Sequence, residues 1–89
     1  MAVRYEEISE TFKALAHPVR LKMVFGLIKD ECNVAQIQKV LRLPQSTISQ
    51  HLRVLKNAGI IKGRREGTRT CYRVIDKQVR KIMELIKRK

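Results

Sequence analysis

The sequence predicts a mainly α-helical domain carrying one small β-hairpin, with four helices, two strands and a last helix in chain order. Three observations predict it: apolar residues recur at helical spacing in five segments, Pro18 and Pro44 fall between such segments, and two short alternating runs flank a turn that contains Gly67. The first helix is expected over Tyr5 to Ala16, with Ile8, Phe12, Leu15 and Ala16 on its apolar face. His17-Pro18 interrupts it, and because proline suits a first helical turn, a second helix begins at Pro18, buries Leu21, Val24, Phe25 and Ile28, and closes at Lys29-Asp30-Glu31. Asn33 fits the N-cap of a short third helix with Val34, Ile37, Val40 and Leu41 as its apolar positions. Arg42-Leu43-Pro44 breaks it, and a fourth helix runs from about Gln45 to Ala58 on a stripe of Ile48, Leu52 and Leu55, ended by Gly59. The strands follow at Ile60 to Arg64 and Arg69 to Ile75, joined by Arg65-Glu66-Gly67-Thr68. Asp76 then caps a final helix bearing Val79, Ile82, Met83 and Ile86.

Two helices separated by a few residues that include proline make a helix-turn-helix, and a hairpin directly after the second of them is a wing. With 89 residues, 1–89 is expected to be a single domain that gains stability by dimerising. Lys plus Arg number 20 against 8 Asp plus Glu, and a formal charge of +12 repels itself unless a polyanion is the partner, which points to nucleic acid. No run of about 18 apolar residues occurs, and Met1 to Glu7 lacks the basic and apolar regions of a signal peptide, so a cytoplasmic protein without a membrane partner is expected. Cys32 and Cys71 form no CxxC or zinc-ribbon spacing, so neither a disulfide scaffold nor a structural metal site is indicated, and reduced thiols at rest are expected. A Gly-rich phosphate loop, a paired acidic motif and a nucleophile elbow are all missing, which speaks against an enzyme, and no cofactor is indicated.

The fourth helix carries the chemistry. With its buried stripe set aside, Gln45, Ser46, Thr47, Ser49, Gln50 and Arg53 remain outward, with His51 at the boundary. Base edges in the major groove call for neutral donors and acceptors held close to a helix, whereas an ordinary solvated face carries more Glu and Lys. The first turn also aims free backbone N–H groups at a phosphate with no acid competing. For His51 two readings stay open, a base or phosphate contact or a packing residue folded back onto the domain. Lys62, Arg64, Arg65 and Arg69 form a basic wing suited to the DNA backbone or the minor groove, the alternative being a solvated hairpin tip. Lys56 and Asn57 stand at the helix end as further backbone contacts or as plain surface. A winged helix serving structured RNA or an acidic protein would carry the same charge, but RNA binders offer stacking aromatics, and none lies on this helix.

These residues resemble the ArsR/SmtB family of winged-helix repressors. The resemblance runs from Phe12-Lys13-Ala14-Leu15-Ala16-His17-Pro18-Val19-Arg20-Leu21, through Leu43-Pro44-Gln45-Ser46-Thr47-Ile48-Ser49-Gln50-His51-Leu52-Arg53-Val54-Leu55, to Ala58-Gly59-Ile60-Ile61 and Arg64-Arg65-Glu66-Gly67-Thr68. It implies a homodimer closed by the first and last helices, two recognition helices roughly 34 Å apart, and an imperfect palindromic operator in double-stranded DNA. It also implies repression relieved by an inducer, commonly a metal ion. The family's metal motifs do not carry over: Glu31-Cys32-Asn33-Val34-Ala35-Gln36-Ile37 replaces the third-helix Glu-Leu-Cys-Val-Cys-Asp-Leu with its one thiol displaced by a position, and Gln78 stands where the last-helix site needs an imidazole two residues after Asp76. No metal site is therefore expected. In the winged-helix topology the segment before the third helix pairs with the final wing strand, which brings Cys32 and Cys71 onto adjoining segments. Cα atoms within about 4.4–6.8 Å would allow a disulfide, and a redox or persulfide switch would then act at the junction of wing and reading head. Burial of Cys71 as an inert small hydrophobe is the alternative.

Overall fold

The computed structural model describes residues 2–87. Its elements are α1 (Tyr5–Leu15), α2 (Pro18–Lys29), α3 (Val34–Leu41), α4 (Gln45–Asn57), β1 (Ile61–Glu66), β2 (Arg69–Val74) and α5 (Lys77–Lys87), the winged helix-turn-helix order expected from the sequence. The strands pair antiparallel from Ile61↔Val74 to Glu66↔Arg69. The turn is therefore only Gly67-Thr68, shorter than expected, because Arg65 and Glu66 join the ladder and Gly67 alone supplies the positive φ of 62°.

Each boundary has a local cause. At the α1–α2 junction, Val19 N–H donates to His17 Nδ1 at 3.1 Å and Pro18 opens the helix, while Arg20 Nε donates back to the Ala14 carbonyl at 2.6 Å and so closes α1. Arg42 ends α3 in the left-handed region at φ 55°, and Pro44 sets the entry to α4. Gly59, at φ 75°, lets the chain leave α4 and enter β1. Asp76 Oδ1 accepts from Gln78 and Val79 N–H at 2.9 and 3.1 Å, the expected cap of α5. Asn33 holds the N-cap position of α3 without the expected side-chain bond.

One core joins all of these elements: Leu15 from α1, Met23, Val24 and Leu27 from α2, Ile37 from α3, Ile48, Leu52 and Leu55 from α4, Ile61 and Val74 from the hairpin, and Val79 and Met83 from α5. Gly26 on α2 admits Ile37 so closely that a Cβ there would meet its Cδ1 at 2.9 Å. Several expected core positions lie outside. Ile8 and Phe12 are 43% and 52% exposed, because α1 is buried only at Ala14 and Leu15. Ala16, just past α1, is exposed too, as are Val40 on α3 and Ile86 on α5, which lie beyond the buried arcs centred on Ile37 and on Val79 and Met83. No helix among the described residues is long and apolar enough to cross a membrane.

Candidate nucleic-acid interface

With Ile48, Leu52 and Leu55 fixed in the core, helical periodicity dictates what α4 shows to solvent. Gln45, Ser46, Ser49, Gln50 and Arg53 are exposed, while Thr47 and His51 are half-buried at the edges of that face. The first turn of α4 holds no acidic residue and no side chain caps it, leaving its end positive and open to an anion. Lys56 and Asn57 continue the exposed face to the far end of the helix.

His51 lies folded back. Its ring stands 4.6 Å from that of His17, and Arg20 Nη1 lies 3.3 Å from its Nδ1. This is the geometry of the packing reading, and it joins the His17-Pro18 turn to α4 through Arg20, a partner that spacing along the chain does not reveal. Burial, and after it the nearby His17 and Arg20, hold the His51 pKa below the ordinary 6.5. The folded state thus favours neutral His51 more than the unfolded chain does, so this contribution to stability is complete above pH 6.5 and is lost as pH falls through the interval below it. An NMR titration should place the His51 midpoint under 6.5, and His51→Gln should flatten the acid loss of stability in that interval. A midpoint at or above 6.5 would contradict the assignment.

The wing cations divide between two faces. Side chains alternate along a strand, so the register sets Lys62, Arg64, Glu66, Arg69, Cys71 and Arg73 on one face and Arg65, Thr70 and Tyr72 on the other. The basic wing of Lys62, Arg64, Arg65 and Arg69 is therefore divided, with Arg65 apart from the others. Glu66 gathers two of them: it accepts from Arg64 Nε at 3.1 Å and lies 3.9 Å from Arg69. Arg65 Nε donates to the Gly67 carbonyl at 3.3 Å. On its own side, Tyr72 lines a groove with Ser49, Arg53, Lys56 and Asn57 of α4, so α4 and the wing meet there. Tyr72 and Arg73 were not singled out in the sequence, although the alternation of the second strand assigns each a face.

The turn before α3 reaches the hairpin through one backbone bond, in which Cys32 N–H donates to the Tyr72 carbonyl at 3.1 Å. Cys32 takes φ 65° there, and Cys32 and Cys71 are joined as a disulfide with Cα atoms 4.2 Å apart, slightly closer than expected. Cys71 is 4% exposed and Cys32 half-buried. Glu66 belongs with them: one ligand atom from each of the three residues lies within 4.8 Å of the others.

Residues 17–62, from the His17-Pro18 turn into the first wing strand, match the model of the bacterial regulatory protein, arsR family. The chain belongs to the ArsR family. An uncharacterized HTH-type transcriptional regulator of Methanocaldococcus jannaschii is 42% identical over 85 residues, covering 93% of this chain and 94% of that protein. The transcriptional repressor PagR of Bacillus anthracis, known from a crystal structure, superposes with a TM-score of 0.81 at 40% identity over 92% of this chain and 94% of PagR. A possible ArsR-family regulator of Mycobacterium bovis, described in solution as a homodimeric winged helix-turn-helix DNA-binding domain, superposes at 0.83 with 31% identity over 93% of this chain and 77% of that one. An inducer metal at the family's motif positions does not fit this ArsR chain, since Cys32, the one thiol near the third-helix motif, is bonded to Cys71, and Gln78 stands where the last-helix site needs an imidazole.

Proposed function

We propose that this ArsR-family chain is a cytoplasmic transcriptional repressor that binds an imperfect palindrome in double-stranded DNA as a homodimer. The observation that carries the proposal is the row of exposed neutral side chains, Gln45, Ser46, Ser49 and Gln50, on a helix whose opposite side is locked in the core. In this reading α4 enters the major groove with Thr47 at its edge, Arg53 contacts phosphate, and Arg64, Arg65 and Arg69 lie along the flanking backbone or minor groove. His51 serves by fixing α4 against the His17-Pro18 turn. The exposed apolar side chains of α1, with Tyr5 at 74% exposure beside Ile8 and Phe12, and Leu85 and Ile86 on α5 supply the apolar surface for a twofold partner. PagR supports the repressor assignment by its name, and the M. bovis domain supports the homodimer.

Selection of duplexes from a random pool should yield a twofold-related sequence, and Gln45→Ala or Gln50→Ala should then cost about 1–3 kcal/mol on that site with little loss on unselected DNA. Equal losses on both kinds of DNA would remove these residues from base readout.

We further propose that thiol chemistry at Cys32 and Cys71, oxidation to the disulfide or persulfidation, switches DNA binding. The bond ties the α2–α3 turn to β2, the strand that carries Tyr72 beside the reading helix. Thiol counting alongside affinity for the selected duplex checks this. Equal affinities of the fully reduced and fully oxidised chains would end the switch and leave the repressor assignment standing.

A further inference from the structure

We propose that, once the disulfide is reduced, Cys32, Cys71 and Glu66 form a binding site for a thiophilic divalent cation of the Zn²⁺ or Cd²⁺ class. This rests on the preceding reading only in so far as the disulfide opens, and not on DNA binding.

Each donor is placed by a separate device. Cys32 is held by its left-handed backbone and by its N–H bond to the Tyr72 carbonyl. Cys71 is fixed by its register opposite Arg64. Glu66, five residues before Cys71 along the hairpin, is brought over the sulfurs by the strand pairing, and Arg64 Nε orients its carboxylate at 3.1 Å. A metal-ligating carboxylate that is itself hydrogen-bonded keeps its orientation and binds better for it.

The donor set selects the ion. Two thiolates favour Zn²⁺ and Cd²⁺ over Mg²⁺ or Ca²⁺, which prefer oxygen. Tetrahedral Zn²⁺ with bonds of about 2.3 Å to sulfur and about 2.1 Å to oxygen holds its donors roughly 3.6–3.8 Å apart. The three donors already lie within 4.8 Å of one another, so rotation about the side-chain bonds of the freed cysteines closes the geometry. A fourth position is left to water or an exogenous ligand. Charge is compatible as well: two thiolates and a carboxylate carry −3, a divalent ion reduces this to −1, and the remaining charge sits on the wing face that bears Lys62, Arg64, Arg69 and Arg73.

The reaction balances. A dithiol reductant delivers two electrons and two protons to the S–S bond, giving two thiols and its own cyclic disulfide; M²⁺ then displaces two protons and forms two M–S bonds. Oxidation and metal binding therefore exclude each other at this site. Glu66 is also the acid that engages Arg64 and Arg69, so its recruitment by a metal alters the hold on two wing cations.

The test uses the full chain, reduced with a dithiol, freed of reductant under anaerobic conditions and titrated with Cd²⁺. A thiolate-to-metal charge-transfer band should grow to saturation at one ion per chain and should be missing from the oxidised chain. Cys32→Ser and Cys71→Ser should each abolish saturable binding, and Glu66→Gln, on the wing away from the core, should weaken it about tenfold or more. Excess Mg²⁺ should not compete. No band in the reduced wild type, a band that survives Cys71→Ser, or unchanged affinity in Glu66→Gln would each overturn the three-donor site, and the first and third need no core substitution. The readout contains no DNA. A chain that binds Cd²⁺ but ignores duplexes refutes the repressor reading alone, and one that binds duplexes but not Cd²⁺ refutes this site alone.

Discussion

Raising the salt from about 50 to about 200 mM should weaken binding to DNA by roughly three to five orders of magnitude if the dimer neutralises about six to ten phosphates. That count is what the surface offers to the proposed dimer: Arg53, Lys56, Arg64, Arg65 and Arg69 are exposed on α4 and on the adjoining wing, five per copy. Binding isotherms at several ionic strengths give the slope directly, and a flat dependence would remove the phosphate contacts on which the proposed mode depends. Arg65 separates the wing's two faces in the same experiment. It stands on the side of Tyr72 and, among the described residues, engages no carboxylate, whereas Arg64 and Arg69 share Glu66. Arg65→Ala should reduce the slope by about one per protomer and weaken selected and random duplexes alike. Arg64→Ala should weaken both as well, offset in part by the release of Glu66 from one of its partners.

Leu55→Ala should cost about 2–5 kcal/mol of folding stability. Leu55 is 0% exposed and is the last of the three buried residues along α4. Small domains are stable by only about 5–15 kcal/mol, so the variant stands near the edge of folding at ordinary temperature. Urea unfolding measures the change, with Gln50→Ala, one helical face away and exposed, as the companion expected to stay within about 0.5 kcal/mol of wild type. A loss below about 1 kcal/mol in Leu55→Ala would mean that the core does not rest on this helix. The pair separates the two sides of α4, one side measured by unfolding and the other by DNA.

The architecture was legible because each element announces itself locally. Pro18 and Pro44 open helices, Asp76 caps one, Gly59 and Gly67 turn the chain, and Ile48, Leu52 and Leu55 recur at a spacing that only a helix unites. The outward row on α4 follows from that stripe by elimination, and so was legible as well. What periodicity misjudged was the partner of each apolar face. Ile8 and Phe12 repeat at helical spacing as a core face does, but spacing does not say whether the surface that covers it comes from the same chain. Pairings across the fold were harder still. Arg20 with His51, and Glu66 with the two cysteines, join positions whose proximity depends on how α2, α4 and the hairpin pack. The pairing of Cys32 with Cys71 was reached only through the topology of the wing. The division of the wing cations was written in the period of two, but the exact ends of the strands, and hence the two-residue turn, were needed to read it.

The bond between Cys32 and Cys71 spans 39 positions, and the ring it closes contains all of α3, α4 and β1. In the chain-entropy view, closing a loop of that size removes about 4 kcal/mol worth of freedom from the unfolded ensemble. The segment that carries the proposed DNA-reading helix is thus a covalent circle hung between α2 and β2, while α1 and α5 remain outside it. If the proposed switch operates, cutting that circle restores this freedom to the unfolded chain, and an electron pair then sets how firmly the enclosed segment is held.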